Sequence, residues 1–137
     1  MGNISWYPLQ ASERISQVYS LGDLSIVSCK PGTGKIGMPS KTWSIMAAGT
    51  GVVASFDRGG EMENILQEAD CGVCVEAGDA AALADAIRFY YDNREKTAEI
   101  GRNARKYAVA SVTKVAAIDA YVHKMEKCHL SMECDKK

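Results

Sequence analysis

The sequence predicts an α/β fold, a parallel sheet with helices on both faces. Three observations predict it. Short apolar runs, Leu24-Ser-Ile-Val-Ser-Cys29, Gly51-Val-Val-Ala-Ser-Phe56 and Gly72-Val-Cys-Val-Glu76, read as buried strands. Segments with helical spacing of apolar residues separate them, and the alternation continues to Asp92. The loops after the runs, 30–38, 56–60 and 76–79, would open at the C-terminal ends of the strands, where such sheets bind ligands. Two of these three loops are rich in glycine.

In chain order, Ile4-Ser-Trp-Tyr-Pro-Leu9 is a strand candidate, which Pro8 restricts to an edge or a strand end. Ser12 is placed to cap a helix running to about Leu21, with Ile15, Val18 and Tyr19 on one face, and Gly22 ends it. The strand Leu24–Cys29 follows. Pro39 suits the first turn of the next helix, where its missing N–H costs nothing. Ile45 and Met46 give that helix its apolar side, and Gly49 is placed to end it in a left-handed conformation. A strand over 51–56 comes next, then the turn Asp57-Arg-Gly-Gly60. A helix over 61–69 has Met62, Ile65, Leu66 and Ala69 on its apolar side and acids in its first turn, as the helix dipole favours. After the strand 72–76, Asp79 caps a helix to about Asp92 with Leu83, Ala86, Ile87 and Tyr90 on its apolar side. A helix over 94–108 turns Ile100, Ala104 and Tyr107 inward. The last helix, 113–127, carries Val115, Ile118, Tyr121, Val122 and Met125. Residues 1–127 are expected to form one domain and 128–137 a polar tail.

Composition excludes several functions. Of the 137 residues 47% are apolar, enough for a sizeable core, and the net charge of −1 offers no electrostatic case for nucleic acid. No apolar run approaches the roughly 20 residues that span a bilayer. The N-terminus lacks the basic-then-apolar pattern of a secretory signal. The five cysteines have no framework spacing, which suggests reduced thiols and a cytoplasmic setting. Cys71 and Cys74 form a C-x-x-C pair, but Cys74 alternates with Val73 and Val75 in a strand, so a core role is expected and no metal site. His123 and His129 have no acid or nucleophile partner at readable spacing.

The stretch Gly37 to Asp57 organises the chain. Ser40 and Lys41 place a hydroxyl and an ammonium beside the free N–H groups of a helix N-terminus, a site suited to phosphate. Just before it, Gly32-Thr-Gly-Lys-Ile-Gly37 matches the dinucleotide fingerprint G-x-G-x-x-G, with Asp57 as the acid 20 residues on. Lys30-Pro31 intrudes between strand and first glycine, where the fingerprint needs a tight turn. A Walker loop is excluded, because Cys29 replaces its first glycine and Ile36 follows Lys35.

Pro39-Ser-Lys, Met46-Ala-Ala-Gly-Thr-Gly-Val-Val-Ala-Ser, Gly59-Gly60-Glu61 and Gly72-Val-Cys-Val-Glu-Ala-Gly-Asp79 succeed one another as in family 4 glycosyltransferases, which the chain resembles over about residues 4–110. The resemblance implies a Rossmann-like domain, most of the C-terminal, donor-binding half of a GT-B enzyme. It implies transfer of a sugar from a nucleotide-diphosphate sugar, with retention, in polysaccharide or glycoconjugate synthesis on the cytoplasmic side. The donor is a substrate, and no cofactor or metal is implied. Gly37, Met38, Pro39, Ser40, Lys41 and Ser44 become donor or phosphate contacts, and Asp57, Gly59, Gly60 and Glu61 a donor loop; no catalytic residue is assigned. An N-terminal acceptor-binding domain, or a partner chain supplying it, is implied, as is peripheral membrane association of the whole enzyme. The alternatives are an NAD(P)-binding domain of an oxidoreductase and a non-catalytic nucleotide-binding module.

The resemblance breaks at three positions. Two glutamates common in the family fall at Ile36 and Ser44, and its usual proline before Val-Val is Gly51. Ser44 can bond one hydroxyl but not as a bidentate anion. The chain also lacks the family's first two strands of this half. That leaves Leu24–Cys29 with a bare flank, which recruits strands. Ile4–Leu9 is expected to move in beside it, with 10–23 as the crossover. The other outcomes are a second copy pairing there, giving a homodimer, or an unpaired segment.

Overall fold

The computed structural model describes the backbone of residues 2–34 and 37–134, and side chains as far as Lys127. Three strands, β1 (Leu24–Ser28), β2 (Gly51–Ser55) and β3 (Gly72–Val75), form an open parallel sheet in chain order. Leu24 pairs with Gly51, and Val52 with Gly72. The helices are α1 (Ile15–Ser20), α2 (Ser40–Ala47), α3 (Glu61–Glu68), α4 (Ala80–Asp92), α5 (Arg94–Tyr107) and α6 (Lys114–Cys134).

Strand β2 is buried along its whole length, as a parallel strand covered on both faces must be. Its side chains alternate between two cores. Val52 and Ala54 join Ile45 and Met46 of α2 and Met62, Ile65 and Leu66 of α3 on one face. Val53 turns the other way, to Tyr90 of α4 and Ile100 of α5. The fold is therefore three layers, Rossmann-like, as the sequence predicts. Of the apolar positions expected of α2, α3 and α5, Ile45, Met46, Met62, Ile65, Leu66, Ile100 and Ala104 are buried, and Tyr107 is only partly so.

The punctuation is also as expected in most places. Gly49 adopts φ +81° and turns the chain from α2 into β2. Asp79 accepts the Ala82 N–H at 2.9 Å and caps α4. Pro39 stands one position earlier than expected. It is the residue before the helix, with φ −64° and ψ 125°, and its carbonyl accepts the Thr42 N–H at 3.0 Å.

Four expectations are corrected. Residues 4–9 form no strand; Trp6, Tyr7 and Leu9 are 92%, 82% and 98% exposed. Among the described residues strand β1 is thus an edge, paired only with β2, and the segment does not close it. A strand there would lack the Pro8 donor, and the six-residue α1 is spent packing on α2 instead of covering a fourth strand. The Thr50 hydroxyl fastens it there by donating to the Tyr19 carbonyl at 2.7 Å. Ser12 does not cap the first helix. It opens a 3-10 turn, Ser12–Arg14, and its hydroxyl donates to Glu13 at 2.8 Å. The last helix does not stop at Lys127 but continues in backbone to Cys134.

The C-x-x-C pair lies in the core. Cys71 is fully buried, and burial pushes its thiol up to about 11. Burial raises Cys74 as well, helped by the negative charge of Glu63, and its thiol donates to the Phe56 carbonyl. Both thiols are thus held in the protonated, less reactive form at neutral pH. His123 is exposed, as expected of a surface residue. The grouping of Cys128, His129 and Cys134 falls outside the described side chains.

Helix α5 crosses the end of the sheet where β2 begins. Gly101 makes the crossing close: a Cβ there would lie 2.5 Å from the Gly49 carbonyl oxygen. Arg105 donates to the Ala47 carbonyl at the end of α2. A turn of π-helix, Ala108–Val112, then redirects the chain into α6. The apolar residues of α6, Val115, Ile118, Tyr121, Val122 and Met125, are all exposed. Among the described residues no helix is long and apolar enough to cross a membrane.

Candidate functional site

Strands β1 and β2 deliver their following loops to one end of the sheet, opposite the α5 crossing. There a cleft of about 320 Å³ opens between Gly34, Gly37 and Met38 on one side and Gly59, Gly60, Glu61 and Met62 on the other. Glycines dominate its walls, so backbone rather than side chain meets an occupant. The start of α3 borders it: Gly60 is the residue before that helix, and no side chain caps its first turn. Helix N-termini of this kind present N–H groups to anions.

Of the residues singled out from the sequence, Gly37, Met38, Gly59, Gly60 and Glu61 meet in this cleft. Ser40 and Lys41 are exposed in the first turn of α2, just after Met38 and Pro39, and Lys41 makes no ion pair with a described residue. Ser44 lies apart. It lines a groove of about 360 Å³ with Trp43, Arg105 and Val109, between α2 and the π-helical turn. Lys35 and Ile36, the latter at a family glutamate position, lie outside the described residues. From sequence Gly34 is only the second glycine of the fingerprint and Met62 only a core position, neither of them a donor contact. Their signal is positional, one in the loop before α2 and one in the first turn of α3.

Asp57 holds the loop after β1. Its Oδ1 accepts the Gly32 N–H at 2.9 Å and its Oδ2 the Gly34 N–H at 2.8 Å. Gly32 reaches this arrangement with φ +81°. At Gly34 a Cβ would lie 3.1 Å from both Asp57 and Phe56 atoms. The geometry speaks against a dinucleotide fingerprint. There the acid meets a ribose and the glycine N–H groups are left to approach the pyrophosphate. Here the acid and the glycines bond each other.

Glu63 organises the other wall. It is 8% exposed. Its Oε1 accepts from Arg58 Nη2 at 2.6 Å and Nε at 2.9 Å, and its Oε2 accepts the Gly59 N–H at 2.7 Å. The Arg58 hydrogen bonds, then the Gly59 N–H, hold its carboxyl below the usual carboxylate range against the opposing effect of burial. A lowered folded-state pKa adds stability that is fully present above the unfolded value near 4.3 and is lost as pH falls through the folded value. Glu63→Gln is therefore expected to lower the urea midpoint at pH 7. The gap to the parent protein should narrow steadily below about pH 4. A gap that is constant from pH 7 to 3 would remove the carboxylate from the account. Among the described residues no three His, Cys, Asp or Glu side chains are arranged to hold a metal ion.

In open parallel sheets ligands bind beyond the C-terminal ends of the strands, which is where this glycine-walled cleft lies. The chain belongs to the glycosyl transferases group 1 family, whose model matches residues 2–107. The match runs to the end of α5, so the π-helical turn and α6 lie beyond it. Membership of this family supports a sugar-transfer function. Comparison with curated proteins and with solved structures gives no significant match.

Proposed function

We propose that this chain binds the nucleotide-diphosphate sugar donor of a family 4, GT-B glycosyltransferase, with the diphosphate at the cleft between Gly37–Met38 and Gly59–Met62. The observation that carries the reading is the position of that cleft: at the C-terminal ends of β1 and β2, between the loop entering α2 and the start of α3. The family supplies the sugar-transfer chemistry. The first-turn N–H groups of α2, the Ser40 hydroxyl and the Lys41 ammonium are the groups offered to phosphate. Group transfer from an activated donor involves no redox change, so no separate cofactor is called for. The whole enzyme transfers a hexose with retention in polysaccharide or glycoconjugate synthesis at the cytoplasmic face of a membrane.

The acceptor and the groups facing it belong to a second domain or partner chain, across a cleft that closes on the substrates. The open edge of β1 also offers a second copy a pairing surface. This polypeptide alone is accordingly expected to show no sugar transfer with any donor and acceptor pair. A radiolabel transfer assay checks this, and any acceptor-dependent turnover overturns it.

Lys41→Ala tests the placement of the diphosphate. The substitution is expected to weaken a nucleoside diphosphate by about 1.5–3 kcal/mol, the worth of a charge-assisted hydrogen bond, and to leave the bare nucleoside nearly unchanged. Calorimetric titration with UDP, GDP and their nucleosides reads the difference. Equal losses for diphosphate and nucleoside move Lys41 away from the phosphates. A melting temperature raised by NAD and not by nucleotide sugars would favour the oxidoreductase reading instead.

A further inference from the structure

Two backbone N–H groups of the loop after β1, those of Gly32 and Gly34, converge on one carboxylate. Asp57 Oδ2 takes the Gly34 N–H at 2.8 Å and Oδ1 the Gly32 N–H at 2.9 Å. Asp57 stands immediately beyond β2, so this contact ties the loop after β1 to the end of the neighbouring strand. A pair of convergent N–H groups two residues apart, in a turn with a left-handed glycine, is an anion-binding concavity. In this chain the concavity is filled from within, by the Asp57 carboxylate.

We propose that Asp57 is a positioning residue: it pins the Gly32–Gly34 turn as the outer wall of the cleft and bars the ligand's phosphate from that turn's N–H groups. The proposal deepens the donor-binding reading and rests on it for the identity of the ligand. Gly34 lies on the cleft wall, so the pin fixes the width of the opening. The steric fit is close enough to define the position, since even a methyl group on Gly34 would press on Asp57 and Phe56 at 3.1 Å. Phosphate finds the Gly32 and Gly34 donors already used by Asp57. It is therefore directed to the Gly37–Met38 and Gly60–Met62 side. The glycines of this turn thus shape the site without touching the phosphate.

The test uses the full chain labelled with nitrogen-15, as parent, Asp57→Asn and Asp57→Ala. Amide hydrogen exchange is read first. In Asp57→Ala the Gly32 and Gly34 amides are expected to exchange at least about tenfold faster than in the parent, the factor set by losing a charge-assisted hydrogen bond. In Asp57→Asn, which keeps one acceptor oxygen, one of the two amides should remain slow. Unchanged exchange at Val53 and Val73 shows that each variant is folded. UDP, GDP and inorganic pyrophosphate are then titrated. In the parent the amides of Gly37, Gly60 and Glu61 should shift while those of Gly32 and Gly34 stay in place. In Asp57→Ala pyrophosphate should shift Gly32 and Gly34 as well. Unchanged exchange in Asp57→Ala overturns the proposal, as do ligand shifts at Gly32 and Gly34 in the parent equal to those at Gly37. If no ligand shifts any amide in the parent, the donor-binding reading fails. The exchange rates and the pyrophosphate response of Asp57→Ala then decide the role of Asp57 by themselves.

Discussion

Replacing Gly72 by alanine is expected to destabilise the protein by about 3 kcal/mol or more, a large part of the 5–15 kcal/mol typical of a small domain. Gly72 opens β3 opposite Val52, and a Cβ at that position would lie 1.7 Å from the Val52 carbonyl oxygen. The obstructing atom belongs to the backbone of the central strand, where Val52 is fully buried, so it cannot swing aside as the tip of a side chain can. The Val52 N–H is meanwhile held by the Cys71 carbonyl at 3.0 Å. Relieving the clash means separating β3 from β2 at the start of their ladder. Urea unfolding measures the cost, with Gly2→Ala as the control, since a Cβ at Gly2 meets nothing within 4 Å. A Gly72→Ala midpoint equal to that of the control would show that the ladder yields cheaply there.

The second large effect is expected at Ile100. This side chain is fully buried against Val53 and Tyr90, and its truncation to alanine should cost about 2–4 kcal/mol through lost burial and a residual cavity. The same site explains a break in the family pattern. A Cβ on Gly51 would lie 2.4 Å from Ile100 Cδ1, so Ile100 occupies the space that the proline usual in this family would need. Gly51→Ala alone should therefore destabilise. Within Ile100→Ala it should be neutral or partly restorative. A double-mutant cycle by chemical denaturation reads the coupling, expected at about 1–3 kcal/mol. Additive losses would mean that the two positions do not compete for one space.

Much of the layered architecture is legible in the sequence because its signals are local. The apolar runs of β2 and β3, the left-handed Gly49 and the Asp79 cap each act within a few residues of themselves. The loops that make the cleft were legible for the same reason, since strand polarity alone sends them to one end. What escaped is non-local. Ile4–Leu9 has the composition of a strand, but whether it pairs depends on cover beyond β1 that no nearby residue encodes. Asp57 carries a spacing that fits a ribose-binding acid, yet two of its partners lie 25 and 23 residues back in the loop that it closes. The apolar spacing of α6 is the same whether its face is covered or bare. Ser44 follows Lys41 by less than one helical turn, but the groove it lines is made by residues beyond 104, distant in sequence.

The sheet's strand order is its chain order, and this has a consequence for how the molecule is made. Each strand pairs with the one before it, so the ladder grows outward by short-range closures that keep the loop entropy low. Cover arrives unevenly. Helices α2 and α3 are interleaved with the strands and shield one face as it forms, whereas Tyr90 and Ile100 reach Val53 only after α4 and much of α5 have been synthesised. A ribosome-bound chain that has just completed β3 exposes the second face of its central strand until about twenty-five further residues follow, a wait of roughly one to five seconds at ordinary rates of translation. During that interval the bare face and the open edge of β1 are exposed together. This is the stage at which a chaperone that binds extended apolar segments has the most to hold.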